Sequence, residues 1–121
     1  MLVAPLRLRM RPGKLCEPDI VLLQSAYDLR HQDAFWLGAD LVVEVVSPDQ
    51  PERETREKVR DYAGAGIPEY WIVNPLDETV TVLTLEGEAS TPHGIFRRGQ
   101  RAISKSLDGF GCEVNDIFDA Q

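Results

Sequence analysis

The sequence predicts a mixed α/β fold in which a helix crosses over between two parallel strands. Residues 40–47 are rich in β-branched side chains and are followed by a helical segment at 49–65 and a further strand at 69–74. A strand–helix–strand unit of this kind implies a parallel pair with a right-handed crossover. Residues 79–86 then alternate apolar and polar side chains after a turn. This alternation predicts a β-hairpin, so the sheet is expected to contain both parallel and antiparallel pairs.

Two shorter strands are predicted ahead of this unit. Residues 6–11 alternate strictly between apolar and basic side chains, which is typical of a half-buried strand. The residues from Arg11 to Lys14 include Pro-Gly and predict a turn. The apolar run within 18–24 suits a strand that is covered on both faces. Residues 25–38 show no clear pattern, and we expect an irregular loop with at most one helical turn.

The strand at 40–47 carries the strongest signal in the chain, because its valines favour a buried, central position in a sheet. Asp49 and Glu52 have the Asp-x-x-Glu spacing of a capping box, which predicts that Asp49 caps the following helix. Gly66 is expected to end that helix, and Pro68 prevents its continuation.

The last third of the chain predicts smaller elements. We expect a short strand around residues 94–96, another at 101–107 and a terminal helix at 114–118. Tyr70 and Trp71 are adjacent in a strand and therefore point to opposite faces. One of the two is expected to reach the core and the other to serve an interface.

Length and charge limit the class of protein. A chain of 121 residues fits a single domain over 1–121. No apolar run approaches the roughly 20 residues of a membrane span, and arginines interrupt the apolar N-terminal stretch, so the cytoplasm is the expected compartment. A net charge of −7 argues against a DNA-coating protein. It does not exclude an enzyme, because bound cations offset part of a carboxylate cluster's field.

Three acidic residues are candidates for a metal site: Asp19, Asp40 and Glu44. Glu44 interrupts a run of apolar side chains, where a carboxylate is costly unless it is paired, hydrogen-bonded or bound to metal. Asp19 opens the preceding strand. Two carboxylates ~4 Å apart would repel by about 4 kcal/mol at an effective dielectric near 20, and a divalent cation between them removes that penalty. Oxygen ligands suit Mg²⁺, and Mn²⁺ is a possible substitute.

Lys58 is the candidate for a catalytic cation. It lies on the helix that directly follows the Glu44 strand, so the helix can bring its ammonium near the carboxylates, where it would orient water or neutralise developing charge. Asp40 would orient one of the metal ligands without binding the metal itself. Two plainer interpretations remain open. Glu44 could reach solvent or an arginine, and Lys58 could be an exposed charge paired with Glu54 four residues earlier.

Four segments carry a resemblance to a known family. They are Glu-Pro-Asp-Ile-Val at 17–21, Asp-Leu-Val-Val-Glu-Val-Val-Ser-Pro at 40–48, Lys58 with Asp61-Tyr62, and Gly-Ile-Pro-Glu-Tyr-Trp-Ile-Val at 66–73. Together, over about residues 3–119, they resemble the Uma-type family of bacterial restriction-endonuclease-like proteins. This resemblance implies the restriction-endonuclease-like α/β core of the PD-(D/E)XK superfamily.

The resemblance also implies roles for individual residues. Pro18-Asp19 would be the first half of the superfamily motif and Glu44 the acidic residue of the second half. The position two residues after Glu44 is Val46 instead of lysine, and the resemblance implies that Lys58 takes the lysine's role. Members of the family usually carry helices and an acidic segment ahead of the first strand seen here, and we expect that N-terminal region to be missing.

The implied function is that of a Mg²⁺-dependent endonuclease that hydrolyses DNA. Asp19 and Glu44 would bind the metal, and Asp19, Glu44 and Lys58 would be the catalytic residues. The alternative is a catalytically silent module that acts in dimerisation or protein interaction through the hairpin at 79–93 or an exposed strand. The acidic net charge, Val46 and the expected absence of the N-terminal region favour this alternative. A homodimer is expected, because a small domain without its front region would expose apolar surface.

Overall fold

A six-stranded mixed sheet forms the centre of the computed structural model of the chain. Backbone alone is described for four short segments: 2–4, 8–11, 14–16 and 20–23. Backbone and side chains are described for residues 39–49 and 52–119.

The described part of the chain contains ten strands and two helices. The strands are β1 (Leu2–Ala4), β2 (Leu8–Arg11), β3 (Lys14–Cys16), β4 (Ile20–Leu23), β5 (Leu41–Val45), β6 (Glu69–Asn74), β7 (Thr79–Glu86), β8 (Ala89–Arg97), β9 (Arg101–Ile103) and β10 (Gly111–Glu113). The helices are α1 (Glu52–Gly64) and α2 (Val114–Asp119). Neither of these helices is long and apolar enough to cross a membrane.

The main sheet has the strand order β1-β4-β5-β6-β7-β8. Strands β5 and β6 are parallel, whereas the other neighbours in this sheet are antiparallel. The mixed α/β prediction is therefore confirmed, and so is the parallel pair flanking a crossover helix. Strands β2 and β3 form a separate antiparallel hairpin, as do β9 and β10.

Helix α1 ends where the sequence predicts. Gly66 adopts a positive φ of 76°. Its amide donates to the Ala63 carbonyl at 3.0 Å, and the Ile67 amide donates to the Tyr62 carbonyl at 3.1 Å. This pair of bonds is a Schellman motif, which glycine favours because it has no Cβ to strain. The described part of α1 begins at Glu52. Residues 50 and 51 lie outside the described residues, so the cap by Asp49 stays a prediction.

The sheet buries apolar side chains on both faces. The face toward α1 packs Ala39, Val42, Tyr62, Ile67, Tyr70 and Leu83. The opposite face packs Leu41, Trp71, Val73, Val80, Val82, Ala102, Leu107, Val114 and Phe118, with α2 and the β9–β10 hairpin closing that side. Tyr70 and Trp71 are only 2% and 3% exposed. The prediction that one of them serves an interface is therefore wrong, because both faces of the sheet are covered.

The other differences concern elements with weak local signals. Strand β8 extends well beyond the predicted strand at 94–96, because pairing with β7 holds a segment that contains Pro92 and Gly94. The predicted strand at 101–107 ends at Ile103, where the chain turns into a loop. Strands β1, β3 and β10 were not predicted. The arginine side chains of the predicted strand at 6–11 lie outside the described residues.

Candidate active site

Glu44 lies inside the sheet on β5, and its side chain faces α1. It is only 6% exposed. Its Oε2 accepts a hydrogen bond from Lys58 Nζ at 2.7 Å, and its Oε1 accepts one from Tyr62 Oη at 3.1 Å. Lys58 and Tyr62 are four residues apart and so lie on the same face of α1. One cation and one hydroxyl therefore offset the cost of burying this carboxylate.

Within the described part of the chain, Glu44 is the nearer of two acidic partners of Lys58. Its Nζ lies 2.7 Å from Glu44 Oε2 and 4.0 Å from Glu54 Oε1. The Lys58 side chain is 29% exposed, whereas that of Glu54 is 49% exposed. The structure thus brings Lys58 to the predicted carboxylate, and the contact with its helical neighbour Glu54 is the longer of the two.

Tyr62 was not singled out as a partner of Glu44. Its ring is 1% exposed and packs against Tyr70 with a centroid separation of 4.8 Å. This packing fixes the hydroxyl beneath Glu44. The sequence signal was the four-residue spacing from Lys58 on a helix that returns over the Glu44 strand.

Of the other two acidic candidates, only Asp40 lies within the described residues. Asp19 lies outside the described residues. The next residue, Ile20, pairs with Val43, which is adjacent to Glu44 on β5. Asp40 is half-buried just before β5. Because a strand rises about 3.3 Å per residue, its Cα lies ~13 Å from that of Glu44. That Asp40 orients a metal ligand stays a prediction.

Glu44 fits the chemistry of one metal ligand. A carboxylate offers about four lone-pair positions, and its bonds from Lys58 and Tyr62 use only two of them. Carboxylate oxygen is also the donor type that Mg²⁺ prefers. Within the described residues, no cluster of three or more His, Cys, Asp or Glu could hold an ion by itself. Glu44 would therefore need a further carboxylate to complete a site.

A second buried carboxylate, Glu69, was missed by the sequence reasoning. It is 0% exposed and lies on the face opposite to Glu44. Its Oε2 accepts from Trp71 Nε1 at 2.7 Å. Its Oε1 accepts from the amides of Lys105 and Ser106, both at 3.0 Å, and from Ser106 Oγ at 2.8 Å. Glu69 thereby anchors the loop that follows β9.

The hydrogen bonds also decide the ionisation of Glu69. Burial is the largest single influence and would raise the pKa of this carboxyl. The hydrogen bonds from Ser104, Trp71 and Ser106 together outweigh burial and hold the pKa of Glu69 below its ordinary value of 4.5. The available signal was Glu69 opening an otherwise apolar strand with Trp71 two residues later, on the same face.

The mixed sheet with its crossover helix is of the restriction-endonuclease-like fold class. The sequence matches the family model of Uma2, described as "Putative restriction endonuclease", over residues 1–115. The chain therefore belongs to the Uma2 family, which confirms the resemblance found in its motifs. A search of curated proteins found no match.

A solved structure shows the same fold. The crystal structure is of a protein from Anabaena variabilis ATCC 29413, titled "putative nuclease belonging to DUF820". It matches with a TM-score of 0.75 at 18% identity, covering 97% of this chain and 67% of that one. At this identity the likeness shows the fold alone. The family and the fold together suggest a nuclease.

Proposed function

We propose that the chain is a Mg²⁺-dependent endonuclease that hydrolyses DNA phosphodiester bonds at a PD-(D/E)XK-type site. The observation that carries the proposal is Glu44, a carboxylate that is 6% exposed within the sheet and lies 2.7 Å from Lys58. A strand acid opposed by a lysine from the next helix is the charge arrangement that a metal-assisted phosphoryl transfer uses. Membership of the Uma2 family supports the same reaction class.

Asp19 and Glu44 are the proposed ligands of Mg²⁺, with Mn²⁺ as a substitute. The support for Asp19 is the pairing register of β4 with β5. Ile20 pairs with Val43 in the antiparallel β4–β5 ladder. Under the proposal, one further step in that ladder sets Asp19 opposite Glu44, and directly opposed residues share a face of the sheet. When bound, the ion lowers the pKa of a water and stabilises charge on the phosphoryl group.

Lys58 is the proposed catalytic cation of the chain itself. Its ammonium already lies at Glu44, on a stem of four methylenes that lets the charge shift while α1 stays in place. In the reaction it would orient the attacking water and neutralise charge that develops on the phosphate. Tyr62 acts through Glu44, because its hydroxyl holds one carboxylate oxygen in place. Tyr62 is therefore a positioning residue.

The second candidate function is a catalytically silent interaction module. The observation that favours it is that Lys58 and Tyr62 already occupy both oxygens of Glu44. A carboxylate with a cation partner can be a purely structural pair. The two functions differ in whether Glu44 exchanges Lys58 for a metal ion.

A cleavage assay separates the two functions. Supercoiled plasmid and a branched DNA substrate are incubated with the parent chain in Mg²⁺ and in Mn²⁺, beside Asp19→Ala and Glu44→Gln. Glu88→Gln, on an exposed turn, is the charge-matched control. We expect metal-dependent cleavage that falls at least about 100-fold in the two site variants and is unchanged in the control, because removing even a residue outside the metal shell costs roughly 10–100-fold. Absence of cleavage by folded parent protein in both metals would reject the endonuclease and leave the silent module.

A homodimer is the proposed assembly. Its support is a set of large apolar side chains that are 46–62% exposed: Val45, Leu76, Ile95 and Ile103. Exposed apolar side chains mark an interface when they form a contiguous patch. Sedimentation analysis of the full chain tests the proposal, and a monomer at all concentrations would reject it.

A further inference from the structure

A cavity of about 320 Å³ lies on the α1 face of the sheet. It is formed by the C-terminal ends of β5 and β6, the start of β7, the first turn of α1 and the turn between β6 and β7. We call it the strand-end pocket and define it by Val46, Thr55, Ile72, Asn74, Asp77 and Thr81.

The strand-end pocket adjoins the Glu44–Lys58 pair. Ile72 pairs directly with Glu44 across the β5–β6 ladder, so its side chain lies on the same face. Val46 is two residues beyond Glu44, a step of about 7 Å along a strand. Thr55 lies one helical turn before Lys58 on α1. Successive nucleotides of a DNA strand are about 3.4 Å apart along the helix axis. If a substrate phosphate lies at Glu44, the pocket is therefore one or two nucleotides away from that phosphate.

The lining combines apolar walls with hydrogen-bonding groups. Val46 and Ile72 supply flat apolar surface. Asn74 Oδ1 accepts the Leu76 amide at 3.0 Å, which fixes the amide group. Within the described part of the chain, neither Asn74 Nδ2 nor the Thr81 hydroxyl has a hydrogen-bond partner. These groups are therefore available to a ligand.

The charges at the rim disfavour a phosphate and favour a group that donates hydrogen bonds. Asp77 is exposed, and its Oδ1 accepts from Thr79 Oγ1 at 2.6 Å, which holds the carboxylate in position. Glu52 is the second carboxylate of the rim. Two negative groups repel the DNA backbone, but they accept hydrogen bonds from an amino group.

We propose that the strand-end pocket receives one nucleobase of the substrate strand, and that it favours a base with an exocyclic amino group over thymine. This inference rests on the proposed endonuclease function, because the neighbouring phosphate must sit at Glu44. Val46 and Ile72 contact the base faces, and Asn74 and Asp77 read its edge. An aspartate accepts from the amino group of cytosine, whereas thymine presents a carbonyl acceptor at the equivalent position.

The pocket has a consequence for the kind of DNA that is bound. A base can enter only if it leaves the stack, which costs a few kcal/mol in a paired duplex and least where the base is mismatched or single-stranded. The pocket therefore favours DNA with an unpaired base one or two nucleotides from the cleaved bond.

Nuclear magnetic resonance titration of the ¹⁵N-labelled full chain tests the pocket without metal and without cleavage. The probes are free 2′-deoxycytidine, 2′-deoxyadenosine and thymidine. We expect the two amino-bearing nucleosides to shift the amide signals of Asn74, Thr79 and Thr81, with thymidine binding several-fold more weakly. Asp77→Asn is expected to weaken 2′-deoxycytidine binding about fivefold and to narrow its advantage over thymidine, because it removes a charged acceptor. Glu88→Gln is the matched control and should bind as the parent does.

Two results overturn the proposal: no nucleoside shifts the pocket signals, or thymidine binds as tightly as 2′-deoxycytidine. If no nucleoside binds but the chain cleaves DNA in a metal-dependent way, only the base-binding proposal is rejected. If nucleosides bind but the parent chain neither binds Mn²⁺ nor cleaves DNA, the endonuclease function is rejected and the base-binding pocket remains.

Discussion

Glu44 and Glu69 are two buried glutamates on opposite faces of the same sheet, and their surroundings differ. Glu69 takes its hydrogen bonds from an indole, a hydroxyl and two backbone amides, all of them neutral donors held by the fold. Glu44 takes one from a tyrosine hydroxyl and one from the ammonium of a partly exposed lysine. Burial is nearly equal at 0% and 6%, so burial does not distinguish the two.

The difference lies in what the partners can do. Three of the four donors around Glu69 belong to the loop after β9, so the carboxylate ties that loop to β6. Under the proposed function, the ammonium at Glu44 yields its place to a metal ion, which the flexible lysine stem permits. A buried acid that is balanced by a replaceable cation is the better candidate for function.

The largest expected difference between Glu69 and Glu44 is in the free energy of unfolding when each is replaced by glutamine. Glu69→Gln keeps one acceptor oxygen but replaces the other by an NH2 group, which then faces a donor. We expect the free energy of unfolding to fall by about 3 kcal/mol at pH 7, because buried donors lose a charged partner. Glu44→Gln should cost no more than about 1 kcal/mol, because Lys58 is partly exposed and can turn to water or Glu54. Urea denaturation followed by circular dichroism measures both, and equal losses would contradict the comparison.

The next effect concerns the lysine. Lys58→Met keeps the length of the side chain and removes its charge. We expect the rate of DNA cleavage to fall about 100-fold, since positioned charge and proton-transfer groups contribute effects of this order. Mn²⁺ affinity should hold or rise, because a competing cation has left Glu44. Single-turnover cleavage and calorimetry give the two quantities, and a parallel loss of metal binding would show that Lys58 merely supports the fold.

A smaller effect is the pH dependence of stability that Glu69 contributes. The pKa of this carboxyl is lower in the folded chain than its ordinary value of 4.5. Its stabilisation is therefore fully present above that value and is lost as the pH falls through the folded-state pKa. The stability gap between the parent and Glu69→Gln should be constant near neutral pH and shrink as the pH falls below about 4. Denaturation curves at stepped pH measure the gap, and a gap that persists at pH 3 would contradict this account.

The smallest effect is expected at Tyr62. Tyr62→Phe keeps the ring stacked near Tyr70 and removes only the hydroxyl that donates to Glu44. Stability should change by about 1 kcal/mol. Mn²⁺ affinity should weaken by about tenfold, because groups that orient a metal ligand contribute that order of affinity. Calorimetric titration of Tyr62→Phe and of the parent with Mn²⁺ measures the difference in affinity. An unchanged affinity would mean that Glu44 needs no help in holding its position.

The parts of the fold that the sequence predicts are those with a strong local pattern. The valine-rich β5, the crossover helix α1 and its glycine stop follow from residues that are close together in the chain. Strand β8 was underestimated because Pro92 and Gly94 weaken the local pattern, while pairing with β7 maintains the strand. The misjudged pair Tyr70 and Trp71 depended on the α2 side of the sheet being covered, which no pattern around those residues indicates.

The candidate site divides in the same way. Glu44 and Lys58 were predicted because the helix that carries the lysine directly follows the strand that carries the acid. Glu69 could not be recognised as an anchor, because the amides that bind it come from Lys105 and Ser106, more than thirty residues later. The role of Asp19 stays a prediction, since it lies outside the described residues.

Calorimetric titration with Mn²⁺ is the most direct measurement of whether the two buried glutamates differ in kind. The parent chain and Glu69→Gln, studied at a temperature where both are folded, are predicted to bind the ion with similar affinity. Glu44→Gln is predicted to show no binding heat. Binding that survives in Glu44→Gln, or a parent chain that binds no Mn²⁺, would contradict the account.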